Sequence, residues 1–259
     1  NISKLDLSGN HLSELLKEEL DSLFISISKI PNLNTLDLYR NKLTTLPKSI
    51  GNLTNLTELD LSSNQLTTLP ESIGNLTNIT ELSLGNWLGG NELTSLPESI
   101  GNLTNLTTLD LSSNNLSELS EEELDSLFNS INRIPNLKIL QLQYNQLTSI
   151  PESIGNLTCL TDLKLYDNKL TSLPMSIGNL TNLTELDFRK NKVYSFCNAC
   201  KRKFNKFVAM SLINFPQTFI NSAFALTGGP SQPEFNAFTP IGTTDMVDLS
   251  SGDFNYNIP

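Results

Sequence analysis

One asparagine recurs in register along this chain, at Asn10, Asn41, Asn64, Asn91, Asn114, Asn145, Asn168 and Asn191. Around each, the letters fall in the same order, as in "LTELDLSSNQL" at Asn64. The steps between these residues are 31, 23, 27, 23, 31, 23 and 23, so the basic unit has 23 residues and three steps carry insertions. A unit this short cannot enclose its own apolar side. It must stack on copies of itself, which constrains the chain to a solenoid with one continuous core.

Within a unit, Leu59 and Leu61 alternate with Glu58, Asp60 and Ser62. That period of two predicts a short strand with leucines inward and polar side chains outward. The asparagine that follows has an amide able to bond backbone groups of adjacent turns, which would otherwise be buried unpaired. Next, "LTTLPESIGNL" spaces Leu66, Leu69, Ile73 and Leu76 for a turn-like outer segment. Pro70 excludes a ladder strand there, and Gly74 permits a tight turn.

The pattern L-x-x-L-x-L-x-x-N-x-L resembles that of leucine-rich repeat proteins, over residues 2–193. The resemblance implies an α/β solenoid of eight units over residues 1–193, a horseshoe with a parallel β-sheet on its concave face and short turns on its convex face.

Two of the insertions are near twins: "SELLKEELDSLFISISKIPNL" at 13–33 and "SELSEEELDSLFNSINRIPNL" at 117–137. Leu124, Leu127, Phe128, Ile131 and Ile134 fall at helical spacing, acidic residues lead them, and Pro135 follows. Leu20, Leu23, Phe24, Ile27 and Ile30 repeat the arrangement, so each insertion predicts an amphipathic helix in place of a convex turn. Asn10 to Asn114 and Asn41 to Asn145 are both 104 residues apart, the mark of a duplicated block of four units. The helices either fill volume and adjust curvature or form a docking ridge.

Little here supports catalysis or a cofactor, and none is expected. The one histidine, His11, stands just past the first strand without the partners of a triad. Cys159 occupies a position where other units have asparagine. Cys197 and Cys200, in "CNAC", have metal or redox spacing, but zinc takes about four ligands and no second pair is nearby. "GNWLGGN" is glycine-rich without a lysine, which excludes a phosphate cradle. The sequons in "GNLTNLT" are generated by the repeat itself. A net charge of −10 argues against nucleic acid as a ligand and for a protein or peptide with a basic patch.

The concave face is the expected site. Its outward strand positions give one column of Asp6, Asp37, Asp60, Ser83, Asp110, Gln141, Lys164 and Asp187. Beside it stand Glu58, Glu81, Asp162 and Glu185, and a third column holds Tyr39, Gln143, Tyr166 and Arg189, with Arg40 and Tyr144 following in sequence. The expected partner-binding set is Tyr39, Arg40, Glu58, Asp60, Glu81, Asp110, Gln141, Gln143, Tyr144, Asp162, Lys164 and Tyr166, an acidic face bearing tyrosines whose rigid rings cost little entropy on binding. Trp87, in a loop four residues longer than its counterparts, either anchors a partner at the rim or folds over a neighbouring unit.

After Val193 the repeat fails. Residues 194–226 read as a helical cap over the last unit or as a signal-like segment, with a basic start in "KRKFNKF" and a small-residue site in "SAFA". The apolar run between them is too short and broken for a membrane span. Residues 227–259 read as an extended tail whose segment from "GGPSQPEF" onward resembles the start of the mature region of bacterial Rhs-type (YD-repeat) surface proteins. That resemblance implies a secreted or envelope protein of a bacterium, with the horseshoe as an accessory region of a toxin or adhesin. The alternative is a cytoplasmic scaffold or enzyme regulator.

Overall fold

The computed structural model describes residues 2–193. Each unit contributes one three-residue strand: β1 (Lys4–Asp6), β2 (Thr35–Asp37), β3 (Glu58–Asp60), β4 (Glu81–Ser83), β5 (Thr108–Asp110), β6 (Ile139–Gln141), β7 (Asp162–Lys164) and β8 (Glu185–Asp187). They pair in chain order as one parallel sheet. Because every unit returns to the same place, like residues meet like. Leu5, Leu36, Leu59, Leu82, Leu109, Leu140, Leu163 and Leu186 form one unbroken row across it. From Leu36 onward that row is buried, and only Leu5, at the first strand, is partly open.

The framework asparagines perform the backbone service that the sequence predicts. Asn64 Oδ1 accepts the N–H of Asn41 at 3.1 Å and of Leu43 at 3.0 Å, while its Nδ2 donates to the carbonyls of Leu61 at 2.9 Å and Leu38 at 3.1 Å. Asn41, Asn91, Asn114, Asn145 and Asn168 are likewise buried, each satisfied by neighbouring turns.

On the other side of the core, five-residue 3-10 helices follow a proline in five units, for example Glu71–Asn75 after Pro70 and Glu152–Asn156 after Pro151. Proline's fixed φ suits that entry, and its missing N–H is no loss there. Ile73, Ile100, Ile154 and Ile177 point inward from these segments with no exposure. Successive segments pack so closely that a Cβ on Gly74 would lie 2.5 Å from the carbonyl oxygen of Ser99, which explains the glycine in "ESIGN". Glu71 ties its neighbour down, accepting from the Ser99 N–H at 3.1 Å, and Ser99 holds its carboxyl below the usual range.

The two insertions form α1 (Lys17–Ile27) and α2 (Glu121–Ile131). Both end before Ile30 and Ile134, which the helical spacing would include. The chain turns there, and Ile134 is still buried. Leu127 of α2 is buried, whereas its counterpart Leu23 in α1 is half-buried. The difference follows from position: α2 lies between the convex segments of units on both sides, while α1 packs chiefly on Lys48–Asn52. Cys197, Cys200, the helix expected at 201–219 and the tail at 227–259 lie outside the described residues. Among the described residues, no helix is long and apolar enough to cross a membrane.

Candidate functional site

The polar strand positions face away from the leucine core, and their neighbours divide them into two zones. In units 1 to 5 the carboxylates dominate. Glu58 and Glu81 are exposed and stand in register on adjacent strands. Asp6, Asp37, Asp60 and Asp110 share the next column, interrupted once by Ser83. Adjacent strands lie about 4.8 Å apart, so these charges repel one another. Among the described residues, none of Glu58, Asp60, Glu81 or Asp110 has a cationic partner at ion-pairing distance.

The aspartates differ from the glutamates in a way that alternation does not reveal. Each turns back on its own chain to accept the N–H two residues on, as from Ser62 to Asp60 at 2.8 Å and from Ser112 to Asp110 at 2.8 Å. Asp37 and Asp187 accept from Tyr39 and Arg189 in the same manner. The expectation that Asp60 and Asp110 point freely to solvent is therefore corrected: both are half-buried, because this bond draws the carboxylate down onto the strand end. Burial pushes the Asp110 carboxyl up to about 6, against the bonds from Ser112 and with the help of Asp60 and Glu81. Asp37 is raised as well, by burial first and by Asp60 and Asp6 after it.

In units 6 to 8 most of the charges are paired and aromatic rings join them. Lys164 bridges to Glu185, and Arg189 holds Asp187 with Nε to Oδ1 at 2.9 Å and a terminal nitrogen to Oδ2 at 2.7 Å. Lys190 reaches Asp167 at 3.3 Å and lies 4.9 Å from the Tyr166 ring centre. Tyr144 meets Tyr166 edge to face, with centroids 5.5 Å apart. The Gln143 side-chain amide donates to Gln141 Oε1 at 2.9 Å, yet its own Oε1 is buried without a partner among the described residues. Asp162 accepts from Thr161 and belongs to the same zone.

The residue before the framework asparagine takes a left-handed backbone in most units: Arg40, Ser63, Ser113, Tyr144, Asp167 and Lys190 all have φ between 54° and 59°. This turn carries Arg40, Tyr144 and Lys190 out onto the rim of the sheet, all three exposed. Tyr39, half-buried, and Arg40 lie at the acidic end, away from Tyr144 and Tyr166.

Trp87 does not fold over its neighbours. It is 75% exposed, and Leu88 beside it is 58% exposed. The loop beneath is nonetheless pinned from both sides. Asn86 Oδ1 accepts from the N–H of Leu88 at 2.8 Å, its Nδ2 donates to Ser62 Oγ at 2.7 Å, and its carbonyl accepts from Ser113 Oγ at 2.9 Å. From this fixed base Trp87 joins Gln143, Tyr144, Lys164, Tyr166, Asp187 and Arg189 around an open cleft of about 230 Å³. The expected set thus splits. Gln143, Tyr144, Lys164 and Tyr166 meet at one cleft, while Glu58, Asp60, Glu81 and Asp110 form the acidic zone. Asp187 and Arg189 also line the cleft, and Lys190 packs on its Tyr166 wall. The signal for them was their place in the same columns. Among the described residues, no group of three or more His, Cys, Asp or Glu is placed to hold a metal.

Models described as leucine-rich repeat match residues 31–86 and 135–193, and residues 1–23 and 105–127. Between them they account for more than half of the chain. Among solved structures, the chain is similar to a leucine-rich repeat protein of Leptospira interrogans, at 32% identity and a TM-score of 0.56, over 79% of this chain and 59% of that one. It is also similar to the leucine-rich repeat domain of the type III effector XopL, at 31% identity and a TM-score of 0.52, over 66% of this chain and 58% of that one. It therefore spans less than two thirds of the length of either. Comparison with curated proteins finds no match.

Proposed function

This chain belongs to the leucine-rich repeat proteins, and we infer that its concave face is a non-enzymatic recognition surface for a protein or peptide with a basic patch. The observation that carries this reading is the pair Glu58 and Glu81, exposed, in register and without cationic partners among the described residues. A rigid sheet holds those charges at fixed separations, so a complementary cationic partner gains attraction without an ordering cost on this side. The neighbouring tyrosines add apolar area with little entropy to lose.

Binding to immobilised Lys-rich and Glu-rich peptides tests the reading. The parent should be retained by the Lys-rich peptides alone. Glu58→Lys with Glu81→Lys should weaken retention about tenfold, about 1.4 kcal/mol, with the melting temperature unchanged. Glu122→Lys on exposed α2, a convex control, should leave it intact. Equal loss from both variants would reduce the effect to net charge.

The tail resembling Rhs-type proteins supports a companion reading, in which this horseshoe is an accessory region of a larger bacterial surface or secreted protein. A reading frame without YD repeats downstream would remove that support.

A further inference from the structure

We propose that the cleft under Trp87 is an anchor pocket for one aromatic side chain of an extended peptide whose basic residues run along Glu81 and Glu58. This rests on the concave-face reading and gives it a ligand pattern. Four observations carry it. A large indole is three-quarters exposed on a loop bonded to the units on both sides, so the backbone that carries it is placed before anything binds. Tyr144 and Tyr166 also line the cleft, packed edge to face; Arg189 and Lys190 lie over the Tyr166 ring, so the exposed ring of Tyr144 is the one an entering aromatic can meet. The volume, about 230 Å³, suits a single side chain rather than a larger folded element. The cations beside the cleft are already engaged, Lys164 with Glu185 and Arg189 with Asp187, so the pocket does not select an acid. The uncompensated charge lies on the acidic strands instead and calls for lysine or arginine.

The geometry also sets a spacing. From β7 to Glu81 on β4 is three strand separations, about 14 Å, and to Glu58 on β3 four, about 19 Å. Tyr166 stands four residues past Asp162, the β7 residue in register with Glu81, which adds about 13 Å along the strand direction. The diagonals are then about 19 Å and about 23 Å, so at about 3.3 Å per residue the basic residues of an extended peptide fall about six and about seven positions from the aromatic one.

Trp87 is the sole tryptophan of the chain, so its emission reports on this pocket. The probe is the peptide Phe-Gly-Ser-Gly-Ser-Gly-Lys-Lys in both chain directions, titrated into the full 259-residue chain by fluorescence and calorimetry. One direction should shift Trp87 emission to the blue. Replacing its Phe by Ala, or Tyr144 of the protein by Ala, should weaken binding at least tenfold, and replacing its lysines by Glu should abolish it. Binding that needs Glu58 and Glu81 but ignores the Phe and leaves Trp87 emission unchanged overturns the anchor and leaves the concave-face reading standing. Loss of all binding, in both directions, overturns both. A monosaccharide panel that shifts Trp87 where no peptide does assigns the cleft to sugars and overturns the proposal as well.

Discussion

The side-chain amide of Asn105 donates to the carbonyl of Thr77, one unit earlier, at 2.8 Å. The same bond joins Asn55 to Pro31, Asn78 to Thr54, Asn136 to Thr104 and Asn182 to Thr158. It is a second asparagine ladder, on the exposed side of the turn before each strand and separate from the buried framework row. Cys159 stands where the ladder calls for an asparagine, and by the 24-residue offset of Asn78 and Asn182 its missing acceptor is the carbonyl of Pro135. Cys159→Asn should restore the rung. An exposed neutral hydrogen bond contributes about 0.5–1 kcal/mol net, enough to raise the melting temperature by a few degrees. Thermal melts of parent and variant under reducing conditions check this, and an unchanged midpoint would mean that water already serves Pro135.

The duplicated helices supply a paired comparison. At α2, Ser120 Oγ accepts the Glu123 N–H at 3.3 Å and the Glu123 carboxylate accepts the Ser120 N–H at 2.9 Å, a complete reciprocal cap. At α1, Leu16 donates its N–H to Glu19 at 2.8 Å, but leucine has no side-chain oxygen to return the bond. Leu16 is 66% exposed, so little packing is at stake. Leu16→Ser should stabilise the chain by about 0.5–1 kcal/mol, and Ser120→Ala should cost a similar amount. Urea unfolding of both variants measures the two changes. Destabilisation by Leu16→Ser would reveal an apolar contact that outweighs the cap.

Much of this structure is legible in the letters because repetition removes ambiguity. Once Asn64 and its counterparts set the frame, the leucine row, the parallel register and both helices follow from periodicity alone. What periodicity cannot express is direction beyond the backbone. Alternation puts Asp110 on the polar face, but not that its carboxylate folds back onto the Ser112 N–H. It marks Cys159 as a departure, but not that the absent asparagine is a hydrogen-bond donor between units. Least legible is the meeting of Trp87 with Tyr144, 57 residues away, since that depends on how far a pinned loop overhangs two further strands.

Asp110 gives the chain an unusual pH dependence. Its carboxyl, half-buried and also repelled by Asp60 and Glu81, is pushed up to about 6 from an ordinary value of 3.8. The folded state thus holds the proton more tightly than the unfolded one. The sign follows: the ionised form strains the fold fully above pH 6, and the strain fades as pH falls toward 3.8. A shift of that size corresponds to at most about 3 kcal/mol. Glu71, Glu123 and Glu152, held low by hydrogen bonds, act the other way, but only below about pH 4.5, where they begin to protonate in the unfolded chain. Asp110→Asn keeps the oxygen that accepts from Ser112 and removes the charge. At pH 7 the variant should be more stable than the parent by about 1–3 kcal/mol, and at pH 4 the two should converge. Urea unfolding across pH 4 to 7 follows the difference, and an advantage that persists at pH 4 would trace to packing rather than to ionisation.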